Sequence, residues 1–411
     1  VELTLLGTGG PSGLPRPDCP CAACARALGR DARSATALLV DGVLLFDLTP
    51  GAVFAAARAG HSLSGARQVL LSHPHEGPAV EIPAGLPQPG RVPEGRELAL
   101  LAGHRVRALA TDAPGTGYGV TGPDGERLLY LPPGAGPAGP DTYPEPYDTV
   151  VMDVVRRPDA LARLRAAGAV GPDTAVLAAH LDHDVPPGPE LERRLVAAGA
   201  RAVPDGTTLA ARTGTGVRGL SPDETAYRAP FVPRRTLVLG GARSGKSVEA
   251  ERRLETYPEV LYVATGGSRD GDTEWAARIG LHRERRPASW RTAETCDLVP
   301  LLLQDGPPLL VDCLSLWLAD AMDSVDAWDD DAWATGGERK LRARVAELTQ
   351  ALRETRRLVV AVSNEVGSGV VPATASGRRY RDELGRLNAG FAAQCEQVLL
   401  VVAGQALVLR G

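Results

Sequence analysis

Eight consecutive residues, Gly240, Gly241, Ala242, Arg243, Ser244, Gly245, Lys246 and Ser247, fit the pattern G-x4-G-K-[ST]. This combination suits phosphate chemistry. Glycines let successive backbone N–H groups turn inward onto phosphate oxygens, and a following helix N-terminus adds the positive end of its dipole. Lys246 is placed to neutralise the β- and γ-phosphates, and the Ser247 hydroxyl to ligate Mg2+. The lysine is informative because the basic residues are almost all arginine; Lys occurs only at Lys246 and Lys340. A compact ammonium on a flexible stem suits this role, and a planar guanidinium is a poor substitute. The competing reading is a chance glycine turn, which would not need a strand before it and a helix after it.

Two acidic residues are candidates for the metal that such chemistry uses. Asp312 ends the apolar run Leu309-Leu310-Val311, and Glu365 follows the run Val359–Val362. Asp312 also reads as a strand-end residue that caps a helix. The segment 272–286 reads as a helix with one histidine in a basic patch of Arg278, His282, Arg283, Arg285 and Arg286. Arginines would hold a polyphosphate and favour the neutral, nucleophilic imidazole, and histidine can act as a covalent nucleophile. A solvated helix face is the plainer alternative. Three of the six cysteines cluster at Cys19, Cys21 and Cys24, which suggests metal before disulfide in a cytosolic chain.

The elements around these residues divide the chain. From Arg235 onward, apolar strands at 236–239, 260–264, 309–311, 358–362, 397–402 and 406–409 alternate with helical stretches. One helix is expected at 247–255 and another at 379–393. Tyr380, Leu384, Leu387 and Phe391 form an apolar stripe on the second. The expectation is an α/β domain with a mostly parallel sheet covered by helices on both faces. Residues 1–215 hold short apolar runs at 1–6, 37–40, 43–48, 68–72, 127–131, 149–152 and 174–178. Helical candidates there are 21–28, 53–59, 158–167 and 190–198. Residues 216–233 read as a linker, leaving domains at 1–215 and 234–411.

Seven segments in order, GGARSGKS (240–247), LYVATG (261–266), RIGLHRERRP (278–287), WRTAE (290–294), LVDCLSLWL (310–318), SNEVGSGVVP (363–372) and YRDELGRLN (380–388), resemble one family. It is the bifunctional adenosylcobinamide kinase/adenosylcobinamide-phosphate guanylyltransferase of cobalamin synthesis, and the resemblance spans 234–411. It implies that adenosylcobinamide is phosphorylated with ATP or GTP. GMP then passes from a guanylylated histidine, at the position of His282, to the new phosphate, giving adenosylcobinamide-GDP. The resemblance places nucleotide contacts at the glycine loop, Thr265, Gly266, Gly267, Arg283, Glu284, Arg285, Arg286, Glu294 and Asp312, with Lys246 and His282 catalytic. Leu281 stands where some members carry a second histidine, so His282 is the only histidine in this half. The family also implies a homo-oligomer formed through the C-terminal domain.

The opening Leu5-Leu6-Gly7-Thr8-Gly9-Gly10, with its cysteine triplet, resembles a metallo-β-lactamase-fold protein of the phosphodiesterase type, an αββα sandwich. Ser72-His73-Pro74-His75-Glu76-Gly77-Pro78 lies where that fold carries H-x-H-x-D-H, with Gly77 and Pro78 replacing the acid and third histidine. Leu129-Tyr130-Leu131-Pro132 lacks the bridging Asp, and Ala179–His183 resembles the closing histidine segment. The resemblance implies a degenerate hydrolase site. A separate structural Zn2+ on Cys19, Cys21, Cys24 and His183 stands beside the alternative of an unliganded loop.

Composition narrows the rest. The chain has 411 residues, 44% hydrophobic, 23% charged, with net charge −5. This gives no basis for a nucleic-acid partner, and no apolar run is long enough for a membrane span. The first residues read as a strand rather than a signal peptide, so a cytoplasmic enzyme is expected. Two other function classes compete: a nucleotide-dependent P-loop regulatory module acting on the N-terminal domain, and a simple small-molecule kinase. Neither needs a nucleophile at His282.

Overall fold

The structure is a computed structural model. It describes the chain except residues 75–80, 140–141, 144–145, 187, 213–215, 220–229 and 268–284, and for residues 30, 211–212 and 216–219 the backbone alone. Two compact units result, Val1–Val232 and Pro233–Gly411.

The first unit stacks two sheets. Strands β1 (Glu2–Gly7), β2 (Ala37–Val40), β3 (Leu44–Phe46) and β4 (Gln68–Leu70) belong to one. Strands β5 (Glu97–Ala99), β6 (Arg105–Leu109), β7 (Gly117–Thr121), β8 (Arg127–Tyr130), β9 (Thr149–Met152), β10 (Ala175–Ala178) and β11 (Ala200–Arg201) form the other. β12 (Thr207–Arg212) and β13 (Gly216–Gly219) return to the first, giving orders β13-β12-β1-β2-β3-β4 and β11-β10-β9-β8-β7-β6-β5. Leu3, Leu5, Leu38, Val40 and Phe46 meet Val106, Tyr118, Val120, Leu128 and Tyr130 in the central core. Alternate residues face outward. Leu6, Leu39 and Leu45 pack on the Ala52–Arg58 helix. Leu129, Val150 and Met152 pack on helices Pro158–Ala166 and Pro189–Ala197. The layers therefore run α, β, β, α. Because most strands bury both faces, they read as unbroken apolar runs in the sequence.

The expected linker begins with structure: Val217 and Arg218 of β13 pair with Ala211 and Ala210 of β12. Residues 220–229 of that span lie outside the described residues.

In the second unit, β14 (Arg235–Gly240), β15 (Leu261–Ala264), β16 (Arg291–Glu294), β17 (Leu309–Asp312), β18 (Val359–Asn364), β19 (Gln397–Val402) and β20 (Gln405–Arg410) form one sheet. Its order is β16-β15-β17-β18-β14-β19-β20. Six strands are parallel, and β20 turns back antiparallel to β19. One face packs on helices Leu298–Leu303, Leu314–Asp323, Glu338–Glu354 and Ala375–Ala392. The other packs on Ala250 and Leu254, in and just after the Lys246–Arg252 helix. The expected stripe is a core face: Leu384, Leu387 and Phe391 are buried, with Tyr380 packed alongside. That helix begins four residues earlier than the stripe suggests because Thr374 caps it, accepting the Gly377 N–H.

Candidate active site

Register brings the sequence candidates to one edge of the second sheet. Gly240 closes β14 opposite Asn364 of β18 and Val401 of β19. Asp312 pairs with Val362 on one side and Ala264 on the other, and Ala264 pairs in turn with Glu294. The strands are parallel, so the glycine loop, Thr265, Glu294 and Asp312 all leave from the carboxyl end. In open α/β sheets that edge is where ligands bind.

The loop is tightly built. A Cβ on Gly240 would fall well inside contact with Ser244 Oγ and 2.7 Å from the Val401 carbonyl. Gly245 has φ +97 and Arg243 φ 57, left-handed conformations that turn the chain into the Lys246–Arg252 helix. Gly241, Ala242 and Arg243 are exposed, and Ser247 is half-buried. Lys246 is buried, and its Nζ donates to the Gly241 carbonyl at 3.0 Å, folding the ammonium over its own loop. Gly404 N donates to the Ser244 carbonyl at 2.9 Å, bracing the loop from the turn between β19 and β20. Ser244 Oγ is buried with no hydrogen-bond partner among the described residues.

Asp312 Oδ2 accepts the Tyr262 hydroxyl at 2.9 Å. Burial, with Asp312 next, raises the Tyr262 phenol far above its ordinary range, so it stays a donor. The Arg286 guanidinium lies 3.7 Å from the centre of the Tyr262 ring. Arg285 meets the buried carboxylate of Glu251 at 3.4 Å. Thr265 is buried, and its hydroxyl both donates to the Cys313 carbonyl at 2.6 Å and accepts the Cys313 N–H at 2.9 Å. It therefore clamps the ends of β15 and β17 together. Gly266 is half-buried, Gly267 is exposed with φ +61, and Glu294 is exposed at the end of β16. His282, Arg283, Glu284 and Arg278 lie outside the described residues.

Sequence reasoning missed the polar chain beside the loop. Asn364 Nδ2 donates to Ser315 Oγ at 3.0 Å, and Asn388 Nδ2 to the Asn364 carbonyl at 3.0 Å. Ser363 Oγ donates to Asn388 Oδ1 at 2.6 Å. Polar residues beside apolar runs, as at Ser363 and Asn364 after Val359–Val362, were the available signal.

In the first unit, the segment Ala179–His183 splits its two histidines between different sites. His183 Nδ1 lies 3.0 Å from Cys19 Sγ and 3.8 Å from Cys21 Sγ. The ligand atoms of Cys19, Cys21, Cys24 and His183 all lie within 4.8 Å of one another. The Cys24 backbone N–H leads in lowering the Cys21 thiol to about 6, and burial raises that of Cys24. Three thiols and an imidazole are donor types that structural zinc sites use.

His180 instead lines a cavity of about 20 Å³ with His73, Asp47 and Thr36, room for one water. Its Nε2 lies 3.0 Å from the Leu131 carbonyl, its Nδ1 has no partner among the described residues, and burial lowers its pKa to about 3. Asp47, which sequence reasoning did not single out, is the hub. Its carboxylate accepts the Ser72 N–H at 2.7 Å, the Ser72 hydroxyl at 2.6 Å and the Tyr130 hydroxyl at 2.6 Å. Its signal was a polar residue ending the run Leu44–Phe46. His75, Gly77 and Pro78 lie outside the described residues.

With this geometry in place, comparison with known proteins is direct. Residues 236–409 match the family described as cobinamide kinase / cobinamide phosphate guanyltransferase. The Pseudomonas aeruginosa protein named bifunctional adenosylcobalamin biosynthesis protein CobP is 43% identical over 182 residues, 43% of this chain and 98% of the relative. The Salmonella typhimurium protein named bifunctional adenosylcobalamin biosynthesis protein CobU is 38% identical over 179 residues, 41% of this chain and 95% of the relative. Among solved structures, the chain is similar to a diphosphatase of the PhnP family, 18% identical over 55% of this chain and 99% of that one, with TM-score 0.40. It is also similar to Zn(2+)-bound PqqB from Methylobacterium extorquens, 16% identical over 51% of this chain and 100% of that one, with TM-score 0.37.

Proposed function

Since this chain belongs to the cobinamide kinase/cobinamide phosphate guanyltransferase family through residues 236–409, we propose that it phosphorylates adenosylcobinamide and then guanylylates the product. The observation that carries this reading is the shared strand edge that gathers the glycine loop, Asp312 and Glu294. In the kinase step, the loop amides and Lys246 hold the donor's phosphates; the corrinoid hydroxyl attacks the γ-phosphorus and gives up its proton to solvent, the bond from that phosphorus to the β–γ bridging oxygen breaks, and the nucleoside diphosphate leaves. The Lys246 ammonium carries three donors, so it can turn one to a phosphate while another holds the Gly241 carbonyl.

In the second step, an imidazole nitrogen of His282 attacks the α-phosphorus of GTP and the bond to the β-phosphate oxygen breaks, releasing pyrophosphate. The corrinoid phosphate oxygen then attacks the same phosphorus, the P–N bond breaks, and adenosylcobinamide-GDP forms. Each displacement has a good leaving group. Arg283, Arg285 and Arg286 supply charge to the polyphosphate. Hard oxygen donors at Ser247 and Asp312 fit Mg2+. Asp312 Oδ1 carries no hydrogen bond among the described residues, since Tyr262 takes Oδ2. The ion would supply charge neutralisation to the donor's phosphates.

Incubation with α-labelled GTP tests the scheme. Wild-type protein should carry an acid-labile GMP adduct. His282→Ala should lose it and keep much of the kinase rate, whereas Lys246→Ala should lose kinase activity. An adduct in the histidine variant, or a wild-type kinase rate in the lysine variant, would overturn these assignments.

Two finer readings accompany this one. Residues 1–215 form a domain with a structural Zn2+ on Cys19, Cys21, Cys24 and His183, beside a degenerate hydrolase pocket. The 234–411 domain assembles as a homo-oligomer; β20 leaves Leu407, Val408 and Leu409 exposed at the sheet edge, consistent with a partner copy. A monomer in sedimentation velocity at micromolar concentration would sink the second.

A further inference from the structure

The β5–β7 half of the second N-terminal sheet carries a charged hollow that the nucleotide chemistry does not use. Strand register sets it. Arg105 of β6 pairs with Thr121 of β7, which pairs with Arg127 of β8, so these three form one row. Two residues along β6, Arg107 pairs with Glu97 on one side and Gly119 on the other. Residues two apart on a strand share a face. Arg105 and Arg107 are accordingly both exposed, while Val106 and Ala108 between and beyond them are buried.

Gly119 makes the room. A Cβ there would come within 2.9 Å of the Tyr147 hydroxyl. The missing side chain leaves a cavity of about 190 Å³ lined by Glu97, Arg105, Arg107, Thr121, Arg127 and Tyr147. Arg127 is fixed in place: its Nη1 donates to the Pro146 carbonyl at 3.0 Å, and its guanidinium lies 4.7 Å from the centre of the Tyr147 ring. Among the described residues, no ion pair holds Arg105 or Arg107. Three guanidiniums therefore line one hollow, with Glu97 the one carboxylate among its described lining residues.

Gathering like charges costs energy that an anion would recover. Guanidinium forks match phosphate oxygens in pairs, and the Thr121 hydroxyl adds a further donor. Sites for drug-sized ligands run to about 300–1,000 Å³, so this smaller hollow suits a compact oxyanion better than a whole nucleotide. We propose that it binds a small phosphate anion, either orthophosphate or pyrophosphate.

The full chain, with its glycine loop saturated by a non-hydrolysable GTP analogue, can be titrated calorimetrically with pyrophosphate in one arm and orthophosphate in the other. At least one anion should bind wild-type protein, and the tighter arm identifies the ligand. Replacing Arg105 and Arg107 together by serine should weaken binding about tenfold or more. Glu97→Gln, which removes the negative charge that lines the hollow, should tighten it. Failure of both anions to bind wild-type protein, or equal affinities across the wild type and these variants, would overturn the proposal.

Discussion

The Tyr262 hydroxyl donates to Asp312 Oδ2 at 2.9 Å while Arg286 lies across the face of the same ring. One buried side chain on β15 thus fixes the acid on the neighbouring strand β17 and seats an arginine of the basic segment. The two contacts use different parts of the tyrosine, its oxygen and its π-face, so they can be separated by substitution.

Tyr262→Phe keeps the ring beneath Arg286 and removes only the bond to Asp312. Hydrogen bonds to charged groups contribute about 1.5–3 kcal/mol, so phosphoryl transfer should slow roughly tenfold to a hundredfold with KM for GTP little changed. Tyr262→Leu also loses the cation–π contact, worth about 0.5–2 kcal/mol, and should raise KM as well. Steady-state kinetics of both variants would separate the effects; identical KM values in the two would contradict the division of roles.

Gly240→Ala forces a methyl onto Ser244 Oγ and the Val401 carbonyl. Backbone sits on one side, so the loop must move. Overpacking of this kind costs about 1–3 kcal/mol. The variant should melt at lower temperature and bind nucleotide at least tenfold more weakly. Gly241→Ala meets nothing within 4 Å and should leave thermal stability near wild type. Calorimetric melting and nucleotide titration of the pair would check this contrast.

Asp153 is fully buried, with Oδ1 accepting the Arg156 N–H at 3.1 Å and Oδ2 lacking a partner among the described residues. Burial pushes its carboxyl up to about 6 from 3.8. Between those values the folded chain keeps a proton that the unfolded chain has released. Its stabilising contribution is therefore complete below the unfolded value and lost as pH rises through about 6. Asp153→Asn carries no such proton. Relative to that variant, the wild type should lose up to roughly 1.4 kcal/mol per pH unit across this window. Parallel stability curves from denaturant unfolding between pH 4 and 7.5 would refute the assignment.

For the cysteine cluster, metal analysis of purified protein should find about one zinc per chain. Cys19→Ser or His183→Ala should lose it and lower the melting temperature, since binding energy at a structural site is folding energy. Guanylyl transfer should be less affected than the melting temperature. Full metal retention in both variants would rule out this ligand set.

Much of the fold was legible because strands buried on both faces, parallel or antiparallel, are written as apolar runs. The stretches 37–40 and 149–152 match β2 and β9. Strand β6 was missed because Arg105 and Arg107 interrupt its apolar residues on the exposed face. β16 was missed because Arg291–Glu294 is an edge strand with scarcely any apolar content. At the site, glycine spacing identified the loop, whereas the hydrogen bonds of Thr265 to the Cys313 backbone had no local signal. Asp47 and Tyr262 escaped notice because their importance lies in partners distant along the chain, which no local pattern encodes.

The turn between β19 and β20 touches the glycine loop through Gly404 N and the Ser244 carbonyl. During synthesis, the strand, loop and helix that carry the phosphate motif emerge well before the hairpin that supports them. A nascent chain halted anywhere between the Lys246–Arg252 helix and β19 would hold the full motif without its brace. Nucleotide is therefore expected to bind late in translation, and the ribosome's progress through the last two strands sets when the enzyme acquires its first activity.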